Sequence, residues 1–130
     1  MPVYGPGRWH HPGERPEWSE IATIGRFAVP REGGHFDRHF HDDHEIWFIA
    51  GGRAKVLVDG GEHYVQSGDI VLTRAGDPHD VLEVYEDLWG FFTETGHPGG
   101  GRIGHLHRSE ADAAGHDVTA RPLPADFPAR

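Results

Sequence analysis

Short apolar runs separated by turn-forming residues fill the middle of the chain and restrict its possible folds. β-Branched and aromatic residues are common in these runs, and no helical period extends across them. Strands at spacings of about eight to twelve residues, joined by tight turns, are typical of a β-sandwich or barrel. The sequence therefore predicts an all-β fold. The turns are indicated at 33–34, 42–43, 51–52, 59–61, 67–69 and 75–78.

The predicted strands cover 19–29, 45–50, 54–58, 62–66, 70–74, 81–84 and 88–93. Asp59-Gly60 between two of them is a hairpin signal, because both residues tolerate the positive φ angles of a tight turn. Gly51-Gly52 is expected to end one strand before the next begins.

The two ends of the chain differ in composition from the middle. Residues 1–18 contain four prolines, several glycines and no sustained period, so they are interpreted as an irregular arm. Residues 19–95 form the predicted β-barrel core. Residues 96–130 are rich in glycine and proline and are expected to pack on the barrel or on a partner subunit, with one or two helical turns at Ser109–Ala114.

Composition excludes several classes of protein. The 130 residues correspond to one domain. Acidic residues outnumber basic ones by 21 to 12, with no Lys/Arg stripe, so nucleic acid is not an expected partner. No apolar run approaches the roughly 18 residues of a membrane span, and no secretory signal is visible, so a soluble cytoplasmic protein is expected. Cysteine is absent, so any metal must be bound by nitrogen and oxygen.

Three histidines and one glutamate have spacings that suit a common metal ion. His39 and His41 are two apart, so on an extended strand both side chains leave the same face, and Glu45 keeps that parity. One strand edge would then supply three donors. His79 is expected to arrive from a second strand. Imidazoles suit zinc, copper, iron and nickel, and the carboxylate favours harder ions such as manganese or ferrous iron.

Two glycine-bounded blocks frame these residues. They are Gly33-x5-His39-x-His41-x3-Glu45-x6-Gly52 and Gly68-x5-Arg74-x-Gly76-x2-His79, with 15 residues between them. Both blocks resemble the two signature motifs of the cupin family. The second departs from the pattern at Arg74, where proline is usual, and at Glu83, where asparagine is common.

The cupin resemblance implies a single-domain jelly-roll barrel in which His39, His41, Glu45 and His79 bind one divalent metal ion. Fe²⁺ is favoured, and Mn²⁺, Ni²⁺ or Zn²⁺ are also compatible. The first functional hypothesis is a dioxygenase whose small organic substrate presents two oxygens to the open positions of the ion. Glu45 would also act as a catalytic base if it detaches from the ion. Because a jelly roll leaves edge strands uncovered, a homodimer is expected.

Two other functions stay open. The segment from His39 to His79 also resembles the sugar-binding cupin domain of arabinose-type transcription regulators, which implies a non-catalytic binding or sensor module. An isomerase, cyclase or lyase of a biosynthetic pathway would share the fold and the metal. The Gly-, Ala-, Arg-, Asp- and Pro-rich composition is compatible with a bacterial source of high GC content.

Five residues are candidates for substrate binding. Trp47 and Ile49 share the parity of the predicted carboxylate ligand and should line the same cavity. Trp89 and Phe91 either stack on a planar substrate or belong to the core, which is the default for aromatic residues on strands. Arg74 either binds a carboxylate or phosphate through its planar fork or lies exposed at a strand end.

Three further histidines are not expected at the site. His44 adjoins the predicted carboxylate ligand, but its opposite parity directs it away. His105 and His107 repeat the two-apart spacing but have no carboxylate at a suitable spacing and lie in the glycine-rich tail. They are interpreted as surface histidines.

Overall fold

The computed structural model describes residues 3–96 and 104–130, which contain eight β-strands and very little helix. A 3₁₀ turn lies at Pro12–Glu14, and the helix α1 is Glu110–Ala114. The prediction of an all-β fold is confirmed. The strands are β1 Thr23–Val29, β2 His35–Phe36, β3 Glu45–Val58, β4 Gly61–Gln66, β5 Ile70–Thr73, β6 His79–Glu94, β7 His116–Asp117 and β8 Thr119–Ala120.

The long strands β3 and β6 form the centre of the main sheet. Its order is β1-β6-β3-β4, with antiparallel pairing throughout this path. β5 pairs antiparallel with β3, and β8 pairs parallel with β6. A small second sheet joins β2 to β7.

The predicted break at Gly51-Gly52 is wrong, because β3 continues through both glycines. The pairing with β6 shifts register at these positions, so the glycines form an irregularity in one strand rather than a turn. Gly52 has φ +89°, and a Cβ there would lie 2.1 Å from the carbonyl oxygen of Asp87. In the same way, the strands predicted at 81–84 and 88–93 are parts of the continuous β6.

The hairpin between β3 and β4 confirms its sequence signal. Asp59 and Gly60 have φ +47° and +81°, and the flanking residues Val58 and Gly61 are paired. Two consecutive positive φ angles match the twist of the strands that they connect.

The apolar core lies between the inward faces of β1, β3, β4, β5 and β6. Alternate residues of β3 contribute to it, as expected for a strand with one buried face. Trp47 and Ile49 are each 3% exposed and belong to this core. The buried cluster consists of Val29, Trp47, Ile49, Ala54, Val56, Val65, Val71, Val81, Val84, Leu88 and Val118.

Residues 104–130 contact the barrel at several points. Leu106 forms a two-way backbone bridge with Phe40, and β7 and β8 each add to a sheet. The predicted helical turn is present, and the Ser109 side chain caps it by accepting from the Asp112 N–H. No helix among the described residues is long and apolar enough to cross a membrane.

A buried carboxylate connects the tail to the start of β6. Asp80 is 1% exposed, and its Oδ1 accepts from His116 Nε2 at 2.6 Å while its Oδ2 accepts from Arg38 Nε at 3.1 Å. Burial lowers the pKa of His116, but the hydrogen bond to Asp80 outweighs this effect and the net pKa is raised. We call this group the Asp80 clasp.

Gly52 and Gly68 provide a matched pair for testing the irregularity in β3. Both have positive φ, but a Cβ at Gly68 meets nothing within 4 Å. Gly68→Ala should lower the free energy of unfolding by about 1–2 kcal/mol, the cost of the left-handed backbone alone. Gly52→Ala should lower it by about 3 kcal/mol or more because overlap with Asp87 is added. Equal losses in urea unfolding would contradict the packing assigned to Gly52.

The Asp80 clasp predicts a pH-dependent stability difference. Because the pKa of His116 is raised in the folded protein, its contribution is fully present below the unfolded pKa and is lost as pH rises through the folded pKa. Comparing urea unfolding of the wild type with His116→Gln removes the contributions of the other histidines. The wild type should be more stable than the variant at pH 6, and the difference should shrink at pH 9. A difference that grows with pH would refute the clasp.

Candidate metal centre

Four side chains place donor atoms around a common point inside the barrel. They lie within 4.8 Å of one another, and all four residues are buried. These are the residues that the two motifs single out. The donors come from His39, His41, Glu45 and His79.

Backbone pairing brings the two motifs together. The His39 N–H donates to the carbonyl of His79 at 3.2 Å, and the His79 N–H donates back to His39 at 2.8 Å. His79 is the first residue of β6, directly after the predicted turn. The Gly76 N–H donates to the carbonyl of His41 at 2.7 Å and holds that turn against the first motif.

The expectation that one strand edge carries three donors is wrong. His39 lies in an isolated bridge, whereas Glu45 is the first residue of β3 beyond the bend at 42–43. The carboxylate therefore arrives from the main sheet and the first two imidazoles from the chain beside it. Convergence depends on the bend and not on strand parity alone.

All three imidazoles use Nδ1 to bond a backbone carbonyl. His39 pairs with Asp37 O at 2.5 Å, His41 with Gly104 O at 3.1 Å, and His79 with Asp77 O at 3.2 Å. A carbonyl can only accept, so each Nδ1 carries a proton, and in the neutral ring Nε2 presents a lone pair. Such outer contacts orient histidine ligands in metal sites.

The inner atoms lack partners. Glu45 Oε2 lies 2.9 Å from His79 Nε2 and 3.4 Å from His41 Nε2, yet no described residue hydrogen-bonds any of these three buried atoms. Buried polar atoms without partners are costly. Lone pairs aimed at a shared carboxylate fit a divalent cation, which would satisfy all of them at once.

Protonation in the cluster follows burial and neighbouring charge. Burial opposes the charged form of Glu45, but the facing imidazoles of His41 and His79 outweigh it and hold the carboxyl pKa well below its usual range. Burial, with the charges of His79 and His105, lowers the pKa of His39 to about 3. Burial also lowers the pKa of His41, but Glu45 and Glu94 outweigh it, and the net pKa is raised. The cluster thus attracts a positive charge.

Apolar rings close one side of the cluster. Phe36 stacks on His39 with 5.3 Å between centroids, and Trp47 meets His79 edge to face at 5.6 Å. The two apolar rings lie 5.9 Å apart. Trp47 is therefore beside the site, as its parity predicts, while Ile49 lies deeper in the core. Their predicted roles in substrate binding stay predictions.

The other three substrate-binding candidates lie elsewhere. The Arg74 side chain is 73% exposed and pairs with Asp77 Oδ1 at 3.3 Å. Trp89 lies beneath the Arg26 guanidinium at 4.4 Å, and Phe91 is 45% exposed. Phe91 lines a cavity of about 560 Å³ under the N-terminal arm. The two aromatic residues have the opposite strand parity to the inward-facing residues Leu88, Gly90 and Phe92, so they lie on the outer face.

His105 is exposed, as expected of a surface histidine, but His105 and His107 share a carboxylate partner that their spacing did not predict. His105 stacks on His39 with 3.5 Å between centroids and 6° between planes. Both tail histidines bond Asp37 Oδ2, at 2.8 and 2.7 Å. Spacing could not reveal this partner because it lies 68 residues earlier in the chain. His44 lies outside the cluster and accepts from the Ala75 N–H at 2.9 Å.

Sequence reasoning also missed two buried carboxyl groups. Glu94, 1% exposed, pairs across the sheet with Glu45, and its Oε1 is 3.9 Å from His41 Nε2. Burial and the facing Glu94 raise the pKa of Asp43. No metal motif marks either position. The only available signal was an acidic residue at the end of an apolar strand, and it applies to Glu94 alone.

Residues 26–115 match the model of the AraC-like ligand binding domain family, which is more than half of the chain. The chain belongs to this family. An uncharacterized protein of Sinorhizobium fredii, y4oW, is 41% identical over 71 residues, which cover 55% of this chain. The match covers 33% of that relative, so the chain spans about a third of its length.

Solved structures share the fold. A cupin protein from Bacteroides fragilis has a TM-score of 0.57 at 18% identity, over 84% of this chain and 87% of its own. The DMSP lyase DddQ from Ruegeria pomeroyi has a TM-score of 0.56 at 23% identity, over 65% of this chain and 43% of its own. The predicted cupin family and jelly-roll fold are confirmed. At identities this low, the similarity shows a shared fold but does not show a shared activity.

The four donors predict metal-dependent stability. Adding a divalent ion such as Fe²⁺ or Mn²⁺ at a hundred times its Kd should stabilise the wild-type cupin by about 2.7 kcal/mol, seen as a rise in Tm. His79→Ala should bind the ion at least about a hundredfold more weakly, because removing even an outer partner of a ligand costs 10- to 100-fold.

His44→Ala is the matched control for His79→Ala, because His44 lies near the cluster without belonging to it. It should keep the metal-induced rise in Tm. Retention of that rise by His79→Ala would contradict the donor assignment.

Proposed function

We propose that this cupin is a metal-dependent enzyme, a dioxygenase that acts on a small organic substrate beside one divalent ion. The observation that carries the proposal is the set of buried inner atoms of His41, Glu45 and His79 without hydrogen-bond partners. A site built only for stability would bond these atoms to one another or replace them with apolar groups.

His39, His41, Glu45 and His79 would hold the ion. Three imidazoles and one carboxylate form a mixed nitrogen and oxygen set that suits Fe²⁺, with Mn²⁺, Ni²⁺ and Zn²⁺ also compatible. When bound, a redox-active ion of this kind supplies Lewis acidity and the electrons for dioxygen chemistry. A six-coordinate ion with four protein ligands keeps about two positions open.

The charge of the donor set favours an anionic substrate. One carboxylate neutralises half of a divalent charge, so an oxygen anion at an open position would be attracted to the remainder. A small hydroxy acid, enediol or phenol presents such oxygens.

The surroundings favour chemistry that excludes water. Phe36 and Trp47 form an apolar wall next to two of the donors. A low-polarity wall strengthens electrostatic interactions at the ion and protects reactive intermediates from hydrolysis. This wall supports oxygen chemistry in preference to simple hydrolysis.

Glu45 is assigned first to the metal, because its Oε2 faces two imidazole donors in the buried cluster. If the carboxylate detaches from the ion, it would also act as the catalytic base.

The family match supports a second candidate, a ligand-binding domain without catalytic activity. The matched range 26–115 contains both motifs. A module of this kind should bind a small polar ligand, purify without stoichiometric metal and show no turnover. Metal content is the measurement that separates it from the enzyme.

The test combines elemental analysis with oxygen consumption. Protein purified without chelator should carry close to one iron per chain and consume dioxygen with a panel of hydroxy acids, enediols and phenols. Glu45→Ala should lose metal and oxygen uptake together, while His44→Ala should keep both.

Three outcomes would overturn or alter the proposal. A metal-free protein that binds its ligand would favour the binding domain. A metal-loaded protein that converts its substrate without oxygen would favour isomerase or lyase chemistry. Full oxygen uptake by Glu45→Ala would refute the ligand assignment.

A further inference from the structure

Asp37 and the tail histidines form a group that borders the four-donor cluster. Asp37 Oδ2 accepts from His105 Nδ1 at 2.8 Å and from His107 Nε2 at 2.7 Å. The carboxylate therefore fixes two imidazoles brought from the far end of the chain. We call these three residues the Asp37 group.

The bond to Asp37 determines which tautomer His105 adopts. A carboxylate accepts only, so Nδ1 carries the proton and Nε2 of the neutral ring carries a lone pair. No residue in the described parts of the chain hydrogen-bonds this Nε2, and the side chain is 42% exposed. His105 thus offers a hydrogen-bond acceptor to whatever molecule enters.

The position of His105 places that acceptor next to the cluster. Its ring lies flat against His39 at 3.5 Å and edge-on to His41 at 5.4 Å. The backbone carbonyl of the preceding residue, Gly104, accepts from His41 Nδ1 at 3.1 Å. The chain is therefore attached to the cluster immediately before His105, which restricts where the ring can move.

We propose that His105 Nε2 accepts a hydrogen bond from a hydroxyl or amine of the substrate, and that Asp37 is the positioning residue for this contact. The inference rests on the proposed function, because it needs a substrate bound at the cluster. It adds a specificity rule: the substrate carries a donor group beyond the oxygens that chelate the ion. A site built to bond such a donor discriminates against the analogue that lacks it.

A second cation is the competing explanation of the same residues. Donor atoms of Asp37, His39 and His105 also lie within 4.8 Å of one another. However, the Nδ1 of His39 is held by the Asp37 carbonyl and its other nitrogen belongs to the four-donor cluster. The trio therefore lacks a free third donor when the first ion is bound.

The test uses Co²⁺-loaded protein and two probes that differ by one hydroxyl. Lactate chelates through its carboxylate and 2-hydroxyl, and glycerate adds a 3-hydroxyl that can donate to His105. Titration followed by the Co²⁺ absorption bands should give a Kd for glycerate roughly tenfold lower than that for lactate, the effect of one added hydrogen bond.

Variants then assign the preference to particular residues. His105→Ala should keep one Co²⁺ per chain and wild-type lactate affinity but lose the preference for glycerate. Asp37→Asn keeps an acceptor for His105 and should retain most of the preference, whereas Asp37→Ala should lose it. His44→Ala is the matched control and should behave as the wild type.

The outcomes separate this inference from the proposed function. Protein that binds no metal would overturn the proposed function and this inference with it. Loaded wild-type protein without a glycerate preference, or His105→Ala that keeps the preference, would overturn only this inference. Two Co²⁺ per chain, falling to one in His105→Ala, would replace it with the second cation site.

Discussion

The reciprocal backbone bridge between His39 and His79 is the contact on which the rest of the site depends. Its two hydrogen bonds fix the beginning of β6 against the first motif. Glu45 then enters from β3, which pairs with β6 along most of its length. Because these contacts are between backbone atoms, the backbone brings the four side chains together, and contacts between the side chains themselves are not required.

Three carbonyl groups determine the character of the site. Each takes the Nδ1 proton of one imidazole, which leaves a lone pair on Nε2, and those of His41 and His79 face the Glu45 carboxylate. This arrangement is unfavourable for an ordinary buried network, since acceptors face one another at low dielectric. The surrounding core, including Trp47, shields one side of the cluster from solvent. A bound cation would satisfy these acceptor atoms. The outer hydrogen bonds would therefore support the proposed metal site.

Residues 104–107 of the C-terminal tail border the four-residue cluster. Gly104 bonds one imidazole donor, and His105 stacks on another. Leu106 anchors the segment to Phe40, and the Asp80 clasp ties the tail to the residue after His79. If the cluster binds a metal ion and a substrate as proposed, both should depend on how firmly residues 104–130 are attached.

Sequence alone predicted the fold class from turn chemistry and strand propensity, which are local properties. It predicted the four residues of the cluster from their spacing and from the resemblance to two cupin motifs. Tertiary structure decided the remainder. The strand β3 continues through Gly51-Gly52 because β6 pairs with it on both sides of the glycines. A local turn signal cannot reveal this pairing. His105 joins the site because Asp37, distant in sequence, is its hydrogen-bond partner, and Phe91 lies outside because strand register directs it to the outer face. His105 and Phe91 lie outside the two motifs, so only the folded chain could assign them.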